Sequence, residues 1–137
     1  MTVPESFDIE VLLRALADRT RLRLLNLIGD KEVCVCFLVE ILKASQPKIS
    51  RHLAYLRRAG IVSSRRDGKW MHYRLKEPAA AAAKSVVEDV RRWLRSDDAM
   101  VRERQRLEGI CCGAGAPVRL RQAPQPVQYV RNSRRVG

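Results

Sequence analysis

The chain has 137 residues, with 27 Lys and Arg against 15 Asp and Glu, for a net charge of +12. That length suits one compact domain with a tail, and no apolar run reaches the roughly 20 residues that a membrane-spanning helix needs. Nothing at its start resembles a secretory leader, so a cytoplasmic location is expected. There the four cysteines would stay reduced and serve as ligands or sensors rather than as disulfides.

Ser6 or Asp8 is placed to cap a first helix that carries Ile9, Leu12, Leu13 and Leu16 on its apolar side. Asp18 caps a second, with Leu22, Leu25 and Ile28 at helical spacing and Gly29 as its stop. A third helix begins near Cys34 and Cys36 and turns Leu38, Ile41 and Leu42 inward. After the short turn Ala44-Ser45, Ser45 caps a fourth helix, with Pro47 in its first turn where the missing N–H costs little. Ile49, Leu53 and Leu56 recur at i, i+4 and i+7 and face the core. The opposite face carries Lys48, Arg51 and Tyr55, with Gln46 and Ser50 near its start, and Gly60 ends the helix. Two helices joined by so short a turn, the second polar and basic outside, form a helix-turn-helix.

Ile61 to Arg66 and Lys69 to Leu75 read as two strands, with Asp67-Gly68 supplying the positive φ angles of a type I′ turn. Met71, Tyr73 and Leu75 alternate with Trp70, His72 and Arg74, which predicts one buried and one exposed face. A basic hairpin directly after a helix-turn-helix is a wing, and Arg65, Arg66 and Lys69 stand where phosphates would lie. Between Lys43 and Lys76 there are ten basic side chains and one acid, Asp67, so nine of the twelve net charges fall on this segment. Charge concentrated on one folded segment is the footprint of a nucleic-acid surface.

From Ala79 to about Arg95, the residues Ala83, Val86, Val87, Val90, Trp93 and Leu94 form an apolar stripe that a second copy of the chain would cover. Ser96-Asp97-Asp98 interrupts it and caps a further helix bearing Met100, Val101, Arg104 and Leu107, followed by Cys111-Cys112. From Ala114 onward the composition turns to Pro, Gln and Arg without acids, which predicts a disordered basic tail. The expected fold is thus mainly α: a winged helix-turn-helix with a two-stranded hairpin and a C-terminal dimerisation helix. Residues 1–112 form the domain and 113–137 the tail.

Several motifs in this order resemble the ArsR/SmtB family: Leu16-Ala17-Asp18-Arg19-Thr20-Arg21-Leu22-Arg23-Leu24-Leu25, then Cys34-Val35-Cys36, then Ser45-Gln46-Pro47-Lys48-Ile49-Ser50-Arg51-His52-Leu53, then Gly68-Lys69-Trp70-Met71-His72-Tyr73-Arg74-Leu75. They look most like its arsenic-responsive repressors. The resemblance spans roughly Asp8 to Leu94. It implies a homodimeric repressor that sits on double-stranded operator DNA and leaves when a metalloid binds. Two departures stand out. Val39 occupies the position where such repressors often have a third cysteine, and Arg19 stands where proline is usual. The family's zinc sensors use histidines and carboxylates on the last long helix, but Ala79 to Arg95 holds no histidine.

The DNA-contacting set expected from these readings is Ser45, Gln46, Lys48, Ser50, Arg51, His52, Arg65, Arg66 and Lys69. Thiolates select soft ions, so Cys34 and Cys36 are candidate ligands rather than only small buried hydrophobes. On a regular helix, residues i and i+2 point about 200° apart. Both sulfurs would then reach one ion only if the helix start unwound, and that distortion is expected to release the DNA. Trivalent arsenic takes three thiolates, and Cys111 or Cys112 would supply the third. Antimony(III) is the near alternative, and all four sulfurs together would suit cadmium or lead. A disulfide switch within either cysteine pair is a second possibility. No cofactor is required. An enzyme is not expected, since the chain has no glycine-rich anion loop beside a cysteine, no acid–base pair and no cofactor motif.

Overall fold

The computed structural model describes residues 8–112, 117 and 120–128. Asp8 caps α1 (Ile9–Leu16), its carboxylate accepting from the N–H groups of Glu10 and Val11 at 3.0 and 3.3 Å. Asp18 does the same for α2 (Arg19–Ile28), accepting from the Arg21 N–H at 3.0 Å. Gly29 closes α2 with φ +52°, a backbone angle that side chains disfavour. The chain then runs through β1 (Lys31–Cys34), α3 (Val35–Leu42), α4 (Gln46–Arg58), β2 (Val62–Asp67) and β3 (Trp70–Leu75). It ends with α5 (Ala81–Ser96), α6 (Asp98–Cys112) and β4 (Val127–Gln128).

The helices pack around α2, which touches α1, α3, α4, α5 and α6. Leu24, Leu25 and Ile28 of α2 meet Phe37 and Leu38 of α3 and Ile49, Leu53 and Leu56 of α4, all at most 1% exposed. Fully burying one such side chain is worth roughly 1.5–3 kcal/mol. The strands form one antiparallel sheet in the order β2-β3-β1-β4.

This sheet corrects several expectations. β1 is too short to show an alternating pattern, so the sequence suggested a two-stranded hairpin. In the fold β1 joins that hairpin, with Val33 opposite Tyr73 and Cys34 opposite His72. β3 therefore lies between two neighbours, and His72 is buried at 4% exposure instead of facing solvent. Asp67 pairs with Trp70, so the loop is Gly68-Lys69 rather than Asp67-Gly68. Gly68 has φ +63°, while Lys43 alone among the described non-glycine residues has positive φ. Positive φ at the first central residue only is the pattern of a type II′ turn, not I′.

On α1 the buried row is Leu12, Ala15 and Leu16, while Ile9 and Leu13 are 44% and 49% exposed. A helix of two turns docked along one side buries only one i, i+3, i+4 row. The stripe on α5 also divides. Ala83, Val87 and Leu94 are buried against the rest of the fold, so the helix does have internal partners, α2 and α6. Val86 and Val90 are half-buried and Trp93 is 50% exposed. Asp97 starts α6 by accepting from the Met100 N–H at 3.2 Å, and Met100 and Leu107 pack inward as expected.

The tail is not disordered throughout. Leu120 and Ala123 are buried in the core, and β4 pairs with β1, Val127 opposite Glu32 and Gln128 opposite Lys31. Two apolar residues three positions apart and a two-residue strand pairing hold this segment against the fold. Residues 129–137, with Arg131, Arg134 and Arg135, lie outside the described residues. Among the described residues no helix is long and apolar enough to cross a membrane.

Candidate functional site

The reading helix is held from one side and open on the other. Lys43 ends α3 in the left-handed conformation, and its N–H donates to the Val39 carbonyl at 2.9 Å. Ser45 then caps α4, its hydroxyl oxygen accepting from the Lys48 N–H at 3.3 Å. Inward go Ile49, Leu53 and Leu56, each 0% exposed. Outward go Gln46, Lys48, Arg51, Tyr55 and Arg58, all exposed, with Ser50 half-buried beside them. Free N–H groups and basic side chains at a helix start favour phosphate, and the polar groups there can reach base edges.

His52 does not share that outer face. It is half-buried against α2, with Nδ1 3.2 Å from Arg21 Nη1 and 3.7 Å from Asp18 Oδ2. Burial pushes its imidazole below the usual range, with the Asp18 carboxylate opposing that shift and Arg21, Lys48 and Arg51 adding to it. These contacts tie α4 to α2. Arg21 completes the tie. It donates to the carbonyls of Ala15 and Arg14, both at 2.8 Å, and lies 4.3 Å from the Tyr55 ring centroid. Arg58 approaches the same ring at 5.4 Å.

At the wing, Arg66 and Lys69 are exposed at the tip, with Lys69 Nζ 5.0 Å from the Trp70 ring centroid. Arg65 differs from both. Its guanidinium grips Glu32 of β1, Nη2 donating to Oε1 at 2.7 Å and Nε to both oxygens at 3.2 Å. Arg57 ties the reading helix to the wing by donating to Ser64 Oγ at 3.1 Å.

The thiol pair sits where β1 becomes α3. Cys34 is the extended N-cap residue, φ −70° and ψ 141°, and Cys36 lies in the first helical turn. Because Cys34 is not itself helical, the angular argument for two residues on one helix fails. The sulfurs already converge, 2.9 Å apart, with no unwinding of the helix start. Two sulfurs each about 2.3 Å from a tetrahedral ion would stand roughly 3.8 Å apart, so the pair needs only to spread slightly. Cys34 is buried and Cys36 half-buried, which leaves one sulfur partly reachable.

The Cys36 thiol is hydrogen-bonded to the Cys34 sulfur. Cys36 donates to Cys34, which draws Cys34 down to about 7 against the opposing effect of burial. Backbone hydrogen bonds from Cys36 and Met71 help in the same direction. Cys36 is pushed up for the reciprocal reason, because its proton is held by its neighbour. The contact thus favours the thiolate form of Cys34, the form that binds soft ions.

Cys111 lies half-buried in the last turn of α6, a helix that touches α3, and packs against the shared core. Cys112 ends that helix, but its side chain lies outside the described residues. Among the described residues, no group of three or more His, Cys, Asp and Glu side chains stands within reach of one metal ion. The fold thus brings Cys34 and Cys36 together and leaves Cys111 separate from them. His72, across the ladder from Cys34, has a buried Nε2 with no hydrogen-bond partner among the described residues.

Glu32 was not anticipated. It is a buried carboxylate two residues before Cys34, bound by Arg65 and Arg74. The available signal was an acid beside an apolar run, Glu32-Val33-Cys34-Val35, in a chain whose following hairpin is rich in arginine.

Known proteins resemble this chain in sequence and fold. Residues 18–64 match the family model described as bacterial regulatory protein, arsR family. The arsenic resistance transcriptional regulator ArsR1 of Pseudomonas putida KT2440 is 47% identical over 92 residues, 64% of this chain and 72% of that protein. The arsenical resistance operon repressor of Escherichia coli K12 is 47% identical over 79 residues, 57% of this chain and 68% of that one. Among solved structures, HlyU from Vibrio cholerae N16961 superposes with a TM-score of 0.53 at 35% identity, covering 62% of this chain and 89% of that one. With its capped reading helix, basic wing and this degree of likeness, the chain belongs to the arsR family of bacterial regulatory proteins, and it is a DNA-binding winged helix-turn-helix transcriptional regulator rather than an enzyme.

Proposed function

We propose that this regulator is a homodimeric repressor that leaves its operator when trivalent arsenic, or antimony, binds Cys34 and Cys36. The observation that carries the reading is the 2.9 Å approach of the two sulfurs at the start of α3. That helix is separated from the reading helix only by Lys43, Ala44 and Ser45. The arsenic resistance relatives support the choice of ion. Cys111 or Cys112, from the same chain or the partner, would complete a three-sulfur site. Thiolates at the pair favour soft ions over hard ones, and a pyramidal three-sulfur shell suits arsenic. The dimer seam would use the apolar side chains Ile9, Leu13 and Trp93, which the fold leaves about half exposed. Lys48, Arg51, Arg66 and Lys69 would hold phosphates, while Gln46 and Ser50 probe bases.

The test is sulfur coordination by X-ray absorption on the arsenite complex, with and without Cys111→Ser and Cys112→Ser. Three sulfurs falling to two supports the complete site. An unchanged count assigns the third ligand elsewhere. The same short sulfur contact favours one second reading, oxidation of Cys34 and Cys36 to a disulfide that releases DNA without metal. Arsenite titration under strict reduction separates the two, because a purely oxidative switch would not respond. Cadmium or lead would instead recruit four sulfurs, and the same absorption measurement counts them.

A further inference from the structure

The thiol pair is connected to the wing by a route that bypasses the reading helix. β1 ends in Cys34, and its register on β3 carries the ladder directly into the hairpin. Glu32 lies two residues earlier, so its side chain leaves the same face of the strand as that of Cys34. From there it crosses β3 to reach β2. Its carboxylate accepts from Arg65 on β2 at 2.7 and 3.2 Å, and from Arg74 on β3 at 3.4 Å. One side chain thus links three strands.

Two properties make this link stiff. The Glu32 side chain is only 9% exposed, and a buried carboxylate persists only while it is paired. Its ionised form is favoured first by the Arg65 hydrogen bonds, and burial works against it. Arg65 meets it with a planar fork through Nε and Nη2, a geometry with little rotational slack. The neighbouring residues Arg66, Gly68 and Lys69 at the tip are exposed and make no comparable tie among the described contacts.

We propose that Glu32 is a positioning residue that carries ion capture at Cys34 and Cys36 to the wing through its ion pair with Arg65. This rests on the thiol-site reading above. Seating an ion between the sulfurs spreads them and displaces Cys34. Glu32 rides on the same short strand, so β2 must follow, or the ion pair must yield. Either outcome changes where Arg66 and Lys69 stand relative to the reading helix. The two DNA-contacting elements then no longer match one duplex, which gives the differential affinity that a ligand needs in order to shift an equilibrium.

The test uses the full chain under reducing conditions, with Glu32→Gln and Glu32→Ala. Gln keeps the shape and an acceptor oxygen, so it guards against a variant that fails to fold. Three quantities are read: arsenite capture by thiol absorbance, amide exchange over residues 62–75, and the ratio of operator affinity without and with arsenite. The wild type should show a wing whose exchange changes on capture. Glu32→Ala should capture arsenite within about twofold of wild type, yet its affinity ratio should fall about tenfold, with Gln between them. A ratio fully retained in Glu32→Ala overturns the proposal, as does capture that leaves wild-type wing exchange unaltered. A wing response without DNA release in the wild type keeps the link and removes the arsenic-repressor reading. Should arsenite leave the thiols untouched, cadmium gives the same three readouts.

Discussion

The root and the tip of the wing are built from the same two strands and the same residue types, yet they behave oppositely. At the root, Arg65 and Arg74 face Glu32, and His72 is buried between flanking strands. At the tip, Arg66 and Lys69 stand in solvent around a glycine turn. The difference comes from β1, which covers the root and stops short of the tip. Basic charge on a hairpin is therefore not uniform in meaning. A guanidinium with a buried carboxylate in reach is structural, and one without is left for a polyanion. The reading helix repeats the contrast around its own axis, with Leu53 and His52 held by the fold and Lys48 and Arg51 open.

Substitutions can break that contrast in order of size. Leu53→Ala on the buried side of α4 should cost roughly 2–5 kcal/mol, read as a lower midpoint in denaturant unfolding. Lys48→Ala with Arg51→Ala on the open side should leave stability within about 0.5 kcal/mol. It should lower operator affinity at least tenfold and flatten the slope of log K against log salt by about two, if each lysine or arginine neutralises one phosphate. At the wing, Lys69→Ala should weaken binding to specific and random DNA alike, whereas Gln46→Ala should alter the preference among sequences. Competition binding on both DNA types checks that division, and equal effects from the two changes would refute it.

The smallest effect is in pH. His52 is held below its unfolded value of about 6.5, chiefly by burial. The native state then binds fewer protons than the unfolded chain. Its contribution is complete above about 6.5 and is lost as pH falls through the lower folded value. Unfolding free energy measured from pH 7.5 to 5.5 should decline, and His52→Gln should flatten the decline.

Much of this was legible in the sequence. The caps Asp8, Asp18 and Ser45, the inward row Ile49, Leu53 and Leu56, and the positive-φ glycine of the wing follow from local rules, and local rules decided them. What escaped was decided by distant partners. β1 has four residues and no alternating signal of its own, and only its pairing with β3 and β4 makes it a strand. Once it is there, Cys34 leaves the helix, the sulfurs meet, His72 is covered and Arg65 turns to Glu32. Leu120 and Ala123 were hidden by a tail composition rich in proline and arginine, although two buried apolar residues are enough to dock it.

The central claim is that soft-ion capture at the β1–α3 junction governs the DNA surface. Operator binding with and without arsenite, measured on the Cys34→Ser, Cys36→Ser double variant under reducing conditions, tests it most directly. The account predicts operator affinity close to wild type without arsenite and no loss when arsenite is added. Release by arsenite as readily as from the wild type would contradict it.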